Sequence, residues 1–340
     1  MKKQLTQGRK IMMKRVLSLM LIVLLFVITG CNASGSASSH NSNKGSISDG
    51  QIELIVPYAA GGGTDAVARS IAKIAEKKLN TSIGVVNKPG GGGAVGMSEG
   101  ANAKPDGHTL TLGTVELTTL PHLGLANFTY KDFTPVAQLN FDPAAITVPA
   151  DAPYDTIQEF IDYAKENPGE IRVGGSGTGA IWHLAAESFA KANGIDLKFV
   201  PFDGAAPSIT SLLGGHIEAV SVSPGEVLTQ VKAGKLKTLA VMSDERSKAL
   251  PDVPTLKEEG VKSVNVGAWR GIIAPKDTPD DVVKELETAF LEAAESKEFK
   301  KFMDNNGLGI KTRSSEEFKE EMRGSNESFK ELIQSLGIAK

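Results

Sequence analysis

The sequence predicts an α/β protein with two units of alternating strands and helices, which form two lobes around a hinged cleft. Three observations support this prediction. Apolar strand-like runs alternate with amphipathic helical patterns over 51–114, and a second such series runs over 156–241. The long apolar segment VNVGAWRGIIAP (264–275) can then return the chain to the first unit. Strands that alternate with helices form mainly parallel sheets covered by helices.

The first unit begins with a strand that is ended by Pro57, followed by a helix for which Thr64 is a suitable N-cap. Apolar residues at helical spacing continue this helix as far as Leu79. In order, the elements are a strand at 51–58, a helix at 64–79, a strand at 83–87, a helix at 93–103, a strand at 108–114 and a strand at 134–139.

The second unit repeats the alternation and closes with two helices that we assign to the first lobe. We expect lobe 1 to comprise 51–148 and 266–340, and lobe 2 to comprise 149–265. The predicted elements after residue 150 are helices at 156–167, 180–194, 205–215, 227–234, 279–295 and 315–336, and strands at 171–174, 197–201, 217–222, 236–241 and 264–275.

The N-terminal 31 residues have the pattern of a secretory signal. Six basic and no acidic residues lie in this segment, and an apolar run at 16–28 is too short for a stable membrane anchor. The run ends in Ile-Thr-Gly-Cys, which resembles the lipobox of bacterial lipoproteins, so Cys31 is the predicted lipidation site. The Ser-, Asn- and Gly-rich segment 32–50 is predicted to be a flexible linker.

Composition excludes several classes of function. Without residues 1–31 the 37 basic residues fall to 31 against 40 acidic ones, a net charge of about -9 that argues against nucleic acid as a partner. No His, Asp or Glu cluster has metal-ligand spacing, so we predict no metal and no cofactor. A formal G-x-G-x-x-G at Gly91, Gly93 and Gly96 does not follow the first strand, and is interpreted as a turn with close backbone packing.

The first strand-to-helix junction contains three consecutive glycines, Gly61–Gly63. Such a junction offers free backbone N–H groups and the positive end of a helix dipole to an anion. It lacks the Gly-Lys-Ser/Thr of a phosphate loop. Thr64 can cap the helix or contact the ligand, and Asp65 can pair with Arg69 or orient a bound water.

The second junction, GGSGTGAIWHL (174–184), follows another strand and opens another helix. Ser176 and Thr178 supply hydroxyl groups, and Thr178 can cap the helix or meet a ligand. Thr178 replaces the second glycine of the nucleophile elbow G-x-S-x-G. His183 lies in the first turn of the helix, facing the cleft or the surface. A secreted serine hydrolase using Ser176 and His183 is therefore the alternative of a different class.

Two further charged residues are candidates for the site. Asp203 lies at a third strand-to-helix junction, where it can cap the helix or meet a cationic part of a ligand. Arg270 lies in the return strand, and its guanidinium can bind both oxygens of a carboxylate or be exposed at a domain edge.

Eight motifs occur in an order that resembles the extracytoplasmic solute receptors of the tripartite tricarboxylate transporters, the Bug family. The motifs are VPYAAGGGTDAVAR, VNKPGGGGAVG, KPDGHTL, GTGAIWHLAAE, VPFDGAAPSITSLLGGHIEAV, AGKLKTLAV, ERSKALPDVPTLKEEG and GAWRGIIAPKDTP. The resemblance implies a two-lobed periplasmic-binding-protein type II fold. It also implies a receptor, not an enzyme, that delivers a small carboxylate to a permease of one large and one small integral subunit.

Carried over by position, the resemblance implies a ligand site made of the first loop, the end of the third strand and the Gly-Ser/Thr loop. With the two charged candidates, the predicted ligand-binding residues are Tyr58, Ala59, Ala60, Gly61, Gly62, Gly63, Thr64, Asp65, Thr114, Val115, Gly175, Ser176, Gly177, Thr178, His183, Asp203 and Arg270. Asp203 and Arg270 replace the Lys and Tyr that are usual in the family, so they are alternatively a compensating ion pair.

The same resemblance predicts a monomer outside the cytoplasm, held at the cell membrane by a lipid on Cys31. The sequence does not distinguish a receptor that serves a permease from one that reports its ligand-bound state to a signalling partner.

Overall fold

The computed structural model of the protein describes residue 47 and residues 50–339. The described chain forms two five-stranded sheets flanked by helices. The strands are β1 (Ile52–Val56), β2 (Ile83–Asn87), β3 (Thr109–Thr114), β4 (Phe133–Pro143), β5 (Ala145–Pro149), β6 (Arg172–Ser176), β7 (Lys198–Phe202), β8 (Ala219–Val222), β9 (Leu236–Val241) and β10 (Gly267–Pro275). The α-helices are α1 (Gly63–Leu79), α2 (Ala94–Ala101), α3 (Ile157–Glu166), α4 (Ile181–Asn193), α5 (Ala205–Leu213), α6 (Pro224–Lys232), α7 (Asp280–Glu295), α8 (Lys297–Asn305) and α9 (Ser315–Leu336).

The two sheets have the same topology. The first has the strand order β2-β1-β3-β10-β4 and the second β7-β6-β8-β5-β9. In each sheet the first three strands are parallel, and the fourth is antiparallel to both of its neighbours. This confirms the predicted mixed, mainly parallel sheets. The parallel arrangement follows from the helices that connect consecutive strands.

The antiparallel strand of each sheet arrives from the other lobe. β5 follows β4 of the first sheet but pairs with β8 and β9, and β10 follows the second unit but pairs with β3 and β4. The chain therefore crosses between the lobes twice, which places both crossings beside the cleft. The sheets divide near Ala144, while the wider lobe boundaries given above stay a prediction.

Two hydrophobic clusters fill the lobes. The first lobe's cluster includes Val67 and Ile71 from the apolar face of α1, packed on β1, β3 and α7. The larger cluster fills the second lobe and extends into the first, where Trp269 meets Phe318 edge-on at 5.2 Å between ring centroids. Residues 45–340 form one compact unit that contains both sheets and both clusters.

Most predicted elements are confirmed, although the helix predicted at 227–234 is α6 (Pro224–Lys232), which begins three residues earlier, and three other differences occur. The strand β5 and the helix α8 were not predicted, because β5 is short and α8 buries only Phe299 and Met303. Thr64 is not the N-cap of α1, since the helix begins at Gly63 with Gly62 as its N-cap. The Thr64 hydroxyl instead accepts a hydrogen bond from Arg270.

The predicted signal segment, Cys31 and most of the segment 32–50 lie outside the described residues. Ile47, within the predicted linker, is 1% exposed and packs in the first lobe's cluster. Within the part of the chain that the structure describes, no helix combines the length and apolar character needed to cross a membrane.

Candidate functional site

A buried cavity lies between the lobes, where loops that follow the parallel strands of both sheets meet. The carboxyl ends of parallel strands are the usual place for ligands in α/β proteins. The cavity has a volume of ≈ 20 Å³ for a water-sized sphere, room for about one water molecule. It is lined by Tyr58, Ala59, Gly62, Gly63, Thr64, Thr114, Glu116, Ser176, Ile181, Trp182, Gly204, Ala205, Glu226, Ala268 and Arg270.

The glycine-rich loop reaches the cavity through a tight turn. Gly61 has φ of 89°, a left-handed conformation that favours glycine. A Cβ on Gly63 would lie 2.9 Å from Glu226 Oε1 and 3.2 Å from Arg270 Nη2, so a side chain there would displace them. The close backbone approach that the glycines predict is therefore present at Gly63.

Asp65 faces away from the cavity and makes the predicted pair with Arg69. Its carboxylate accepts hydrogen bonds from Arg69 Nε at 3.0 Å, Asn87 Nδ2 at 2.9 Å and the Gly61 N–H at 3.0 Å. Burial alone would raise the pKa of Asp65, but these hydrogen bonds outweigh it and lower the pKa below its usual value. Asp65 thus fixes the shape of the loop.

Arg270 is the cation of the cavity, and it is 2% exposed, which excludes a place at the surface. Its Nη1 donates to Asp142 Oδ2 at 2.6 Å and to Asn140 Oδ1 at 2.8 Å, and its Nε donates to Thr64 Oγ1 at 3.0 Å. Nη2 lies 3.7 Å from Glu226 Oε1. Burial would lower the pKa of Arg270, but the nearby carboxylates outweigh it and raise the pKa.

The alternative of an ion pair between Asp203 and Arg270 is wrong, because the carboxylate that pairs with Arg270 at 2.6 Å belongs to Asp142. Asp203 is exposed and lines a neighbouring groove with Gly177 and Thr178. It does not cap α5 either, since the N-cap of that helix is Gly204 and makes no side-chain cap bond.

The second lobe's Gly-Ser loop contributes one residue to the cavity, Ser176, which is 3% exposed. Thr178 is exposed, and the N-cap of α4 is Ala180. Gly175 lies behind the cavity wall, where a Cβ would meet Trp182 Cβ at 3.0 Å. Four predicted residues of the first lobe are also outside the lining: Gly61 and Asp65, described above, the exposed Ala60, and Val115, which is buried in the larger hydrophobic cluster.

His183 does not serve Ser176. Its Nδ1 accepts from the Gly179 N–H at 3.1 Å, its Nε2 lies 3.5 Å from Glu187, and its ring packs on Phe199 at 4.4 Å between centroids. Over residues 50–339 no hydrogen bond joins His183 to Ser176. The site therefore has no nucleophile and base pair of the kind that a serine hydrolase needs.

Sequence reasoning missed two buried carboxylates in the cavity wall. Glu116 lies in a 3-10 turn, Val115–Thr118, directly after β3, and its Oε1 accepts from the Ile181 N–H at 2.8 Å. Thr114 Oγ1 donates to its other oxygen. Glu116 is 1% exposed. The available signal was a single acidic residue inside the apolar run TLGTVEL.

Glu226 lies in the first turn of α6, where it closes a capping box with Ser223. Its Oε1 accepts from the Gly63 N–H of the first lobe at 3.0 Å. Burial raises the pKa of Glu226 above its usual value, although Arg270 acts in the opposite direction. The Ser-Pro-Gly-Glu pattern was a readable capping-box signal.

In the described ranges, no group of three or more His, Cys, Asp or Glu side chains could hold a metal ion. The polar groups of the cavity are instead backbone N–H donors, hydroxyls, one guanidinium and carboxyls. Two α/β lobes around a buried polar cavity define a solute-binding protein of the periplasmic-binding-protein class.

The chain belongs to the tripartite tricarboxylate transporter receptor family, because the model of that family, described as "Tripartite tricarboxylate transporter family receptor", matches residues 67–338. It is therefore an extracytoplasmic solute-binding receptor and not an enzyme.

Three of the solved structures that are similar to the chain illustrate the relationship. The periplasmic binding protein BugD is 32% identical, covers 86% of this chain and 99% of its own, and has a TM-score of 0.82. MatC from Rhodopseudomonas palustris with bound malate is 27% identical, and the match covers 83% of this chain and 98% of MatC with a TM-score of 0.79. A TctC solute-binding protein from Polaromonas without ligand is 44% identical, and the match covers 84% of this chain and 99% of the Polaromonas chain with a TM-score of 0.64.

Proposed function

We propose that the protein captures a small carboxylate in the cavity between its lobes. The observation that carries this proposal is the convergence of two helix N-termini and one buried guanidinium on a single cavity. The N–H groups of Gly63 and Ile181 each already bind a carboxylate oxygen, which supports their use for a ligand's carboxylate. The malate bound by the relative MatC belongs to the same chemical class.

The proposed ligand contacts are those predicted residues that line the cavity, and the other predicted residues support them. The first group comprises Tyr58, Ala59, Gly62, Gly63, Thr64, Thr114, Ser176 and Arg270. The second group, outside the lining, comprises Ala60, Gly61, Asp65, Val115, Gly175, Gly177, Thr178, His183 and Asp203.

A thermal-shift panel of mono-, di- and tricarboxylates, including malate, tests the proposal on the 45–340 unit. A ligand present at one hundred times its dissociation constant should stabilise the unit by about 2.7 kcal/mol. Absence of any shift across the panel would contradict carboxylate capture.

A matched pair of variants tests the proposed contacts. Ser176 and Thr178 lie in one loop, but the first lines the cavity and the second is exposed. Ser176→Ala should weaken binding of the ligand found in the panel about tenfold, whereas Thr178→Ala should leave it unchanged. Equal losses in the two variants would place the ligand in the outer groove instead.

We further propose that the receptor is a monomer, anchored by a lipid on Cys31, that delivers its ligand to a permease of one large and one small integral subunit. Mass spectrometry of the whole chain should find the lipid mass on Cys31 and lose it in Cys31→Ala. Crosslinking in cells should recover the permease subunits. Recovery of a signalling sensor in their place would favour the ligand-sensing alternative.

A further inference from the structure

Two buried carboxylates cross the cleft in opposite directions. Glu116 belongs to the first lobe and binds the N–H of Ile181 at the start of α4 in the second lobe, at 2.8 Å. Glu226 belongs to the second lobe and binds the N–H of Gly63 at the start of α1 in the first lobe, at 3.0 Å. Each lobe therefore places one of its own carboxylates on a helix N-terminus of the other.

The two contacts are equivalent in the topology. Because the strand orders of the sheets match, β3 corresponds to β8 and β1 corresponds to β6. Glu116 follows β3 and Glu226 follows β8, while α1 follows β1 and α4 follows β6. The same contact is thus made twice, once in each direction, which is unlike an isolated surface ion pair.

The carboxylates lie where the proposed function places the ligand. Gly63 and Ile181 both line the cavity, and the N–H group of each donates a hydrogen bond to a glutamate oxygen. The cavity has ≈ 20 Å³ for a water-sized sphere, about one water molecule. A dicarboxylate that binds the N–H groups of Gly63 and Ile181 must therefore take the place of the glutamate oxygens that these groups now bind.

A charged carboxylate is costly to bury unless it is paired and hydrogen-bonded. Glu116 receives the Ile181 N–H and the Thr114 hydroxyl. Glu226 receives the Gly63 N–H, the Ser223 N–H and the Ser223 hydroxyl, with Arg270 Nη2 at 3.7 Å. These bonds offset part of the cost of burial while the lobes are closed, and opening would break one cross-lobe bond at each glutamate.

We propose that Glu116 and Glu226 are internal competitors of the ligand: in the ligand-free protein they hold the cleft closed, and the ligand's carboxylates must displace them. This inference rests on the proposed function for the identity of the displacing group, but not for the closed ligand-free state. It makes both glutamates determinants of specificity, since a ligand with two carboxylates replaces both contacts and a ligand with one replaces only one.

A distance measurement without ligand tests the closed state. The 45–340 unit contains no cysteine, because Cys31 is the only one in the chain. Spin labels on Lys73→Cys of α1 and Leu213→Cys of α5 report on the lobes, since both positions are exposed and lie on helices of different lobes. The N-cap of α1, Gly62, approaches Ala206 in the first turn of α5, where a Cβ on Gly62 would lie 3.8 Å from Ala206 N. The labelled unit that keeps both glutamates should show a short distance between the two spin labels. The same labelled unit with Glu116→Ala/Glu226→Ala should shift the population to longer distances.

Glu317 provides the matched control. It accepts hydrogen bonds at the N-terminus of its own helix, from the Ser314 N–H at 2.9 Å, without crossing the cleft. Glu317→Ala should leave the distance unchanged. Glu116→Gln/Glu226→Gln keeps the side-chain shape and replaces the charged acceptor by a weaker one, so it should give a smaller shift in the same direction. An unchanged distance in both double variants overturns the inference.

Titration with malate gives the second readout. If the glutamates compete with the ligand, Glu116→Ala should bind malate about tenfold more tightly or better. Weaker binding would mean that Glu116 contacts the ligand, and would overturn the competition. A longer distance in the double variant with no binding of any carboxylate would instead retain the self-closed state and reject the proposed function.

Discussion

The two lobes have the same strand order but supply different chemistry to the cavity. The first lobe contributes the buried guanidinium of Arg270, held by Asp142 and Asn140. Of the residues that line the cavity, those of the second lobe are Ser176, Ile181, Trp182, Gly204, Ala205 and Glu226, with no basic side chain among them. The first lobe is thus a fixed charged anchor, and the second closes over it with apolar groups, a hydroxyl and helix N–H groups.

The lobes also differ in how their glycine-rich loops are used. Most of the first lobe's loop, 58–65, faces the cavity, but Ser176 is the one residue of the second lobe's loop, 175–178, that does so. The first turn of α4, with Ile181 and Trp182, lines the cavity where the rest of the second loop does not. Equivalent positions in a repeated topology therefore need not make equivalent contacts. Arg270 and the loop around Gly177 are the places where this difference can be tested.

The largest expected effect comes from removing the anchor of the first lobe. Arg270→Met leaves Asp142 and Glu226 buried without their cation, which should lower the free energy of unfolding by about 3–5 kcal/mol. Arg172→Met removes an ion pair of the second lobe whose Arg and Glu218 side chains are 43% and 36% exposed, and should cost less than about 1 kcal/mol. Urea unfolding of both variants measures the difference, and equal losses would refute the distinction.

A smaller effect is expected where the second lobe's Gly-Ser loop touches another glycine-rich turn of the first lobe, Gly91–Gly93. A Cβ on Gly177 of the second lobe would lie 2.3 Å from Gly92 Cα and 2.6 Å from Gly92 N of the first, both backbone atoms. Gly177→Ala should therefore hinder closure by about 1–3 kcal/mol and weaken malate binding about ten- to hundredfold.

Gly324→Ala is the control for Gly177→Ala. Gly324 lies in α9 outside the cavity lining, and an added Cβ would meet no atom within 4 Å, so calorimetric titration should find almost unchanged affinity. If both alanine variants bind malate equally well, the lobes do not close on this contact.

A third prediction contrasts the titration of two carboxyl groups. The pKa of Glu226 is raised above its usual 4.5, so its contribution to stability is complete below that value and is lost as the pH rises through the raised pKa. The pKa of Asp65 is lowered below its usual 3.8, so its contribution is present above that value and is lost as the pH falls through the lowered pKa.

Urea unfolding of the 45–340 unit, Glu226→Gln and Asp65→Asn as a function of pH measures these opposite slopes. As the pH rises, the unsubstituted unit should lose stability relative to Glu226→Gln and gain it relative to Asp65→Asn. Parallel slopes would show that the two carboxyls do not lie in the opposite environments described above.

The smallest effect is expected at Asp203, for which the sequence left an ion pair with Arg270 as one alternative. Because Asp203 is exposed and Asp142 holds Arg270, Asp203→Ala should change the free energy of unfolding by no more than about 0.5 kcal/mol. Asp142→Ala should cost several-fold more in the same measurement. A large loss at Asp203 would favour the alternative ion pair between Asp203 and Arg270.

Local patterns predicted the elements well where periodicity and caps agree. The strand Ile83–Asn87 and the helix Ser315–Leu336 have the predicted bounds. The helix α9 has a capping box at Ser314 and a glycine just past its end, both readable in the sequence. The strand β5 escaped prediction because only five residues carry it and its partners, β8 and β9, are far along the chain.

The candidate site was predicted in part. The glycine turn, Thr64, Ser176 and Arg270 were named from junction chemistry, and they line one cavity. Glu116 and Glu226 were missed, since their acceptor role depends on N–H groups 65 and 163 positions away. No local pattern encodes such a pairing.

By itself the sequence determined the two α/β units, their glycine-rich junctions and the family, because periodicity, turn chemistry and ordered motifs are properties of neighbouring residues. The tertiary structure decided which groups meet: Arg270 with Asp142, and each glutamate with the helix N-terminus of the opposite lobe. The physical reason is that these contacts join segments that the chain brings together only by crossing twice between the sheets, and only there does burial make each charge depend on its partner.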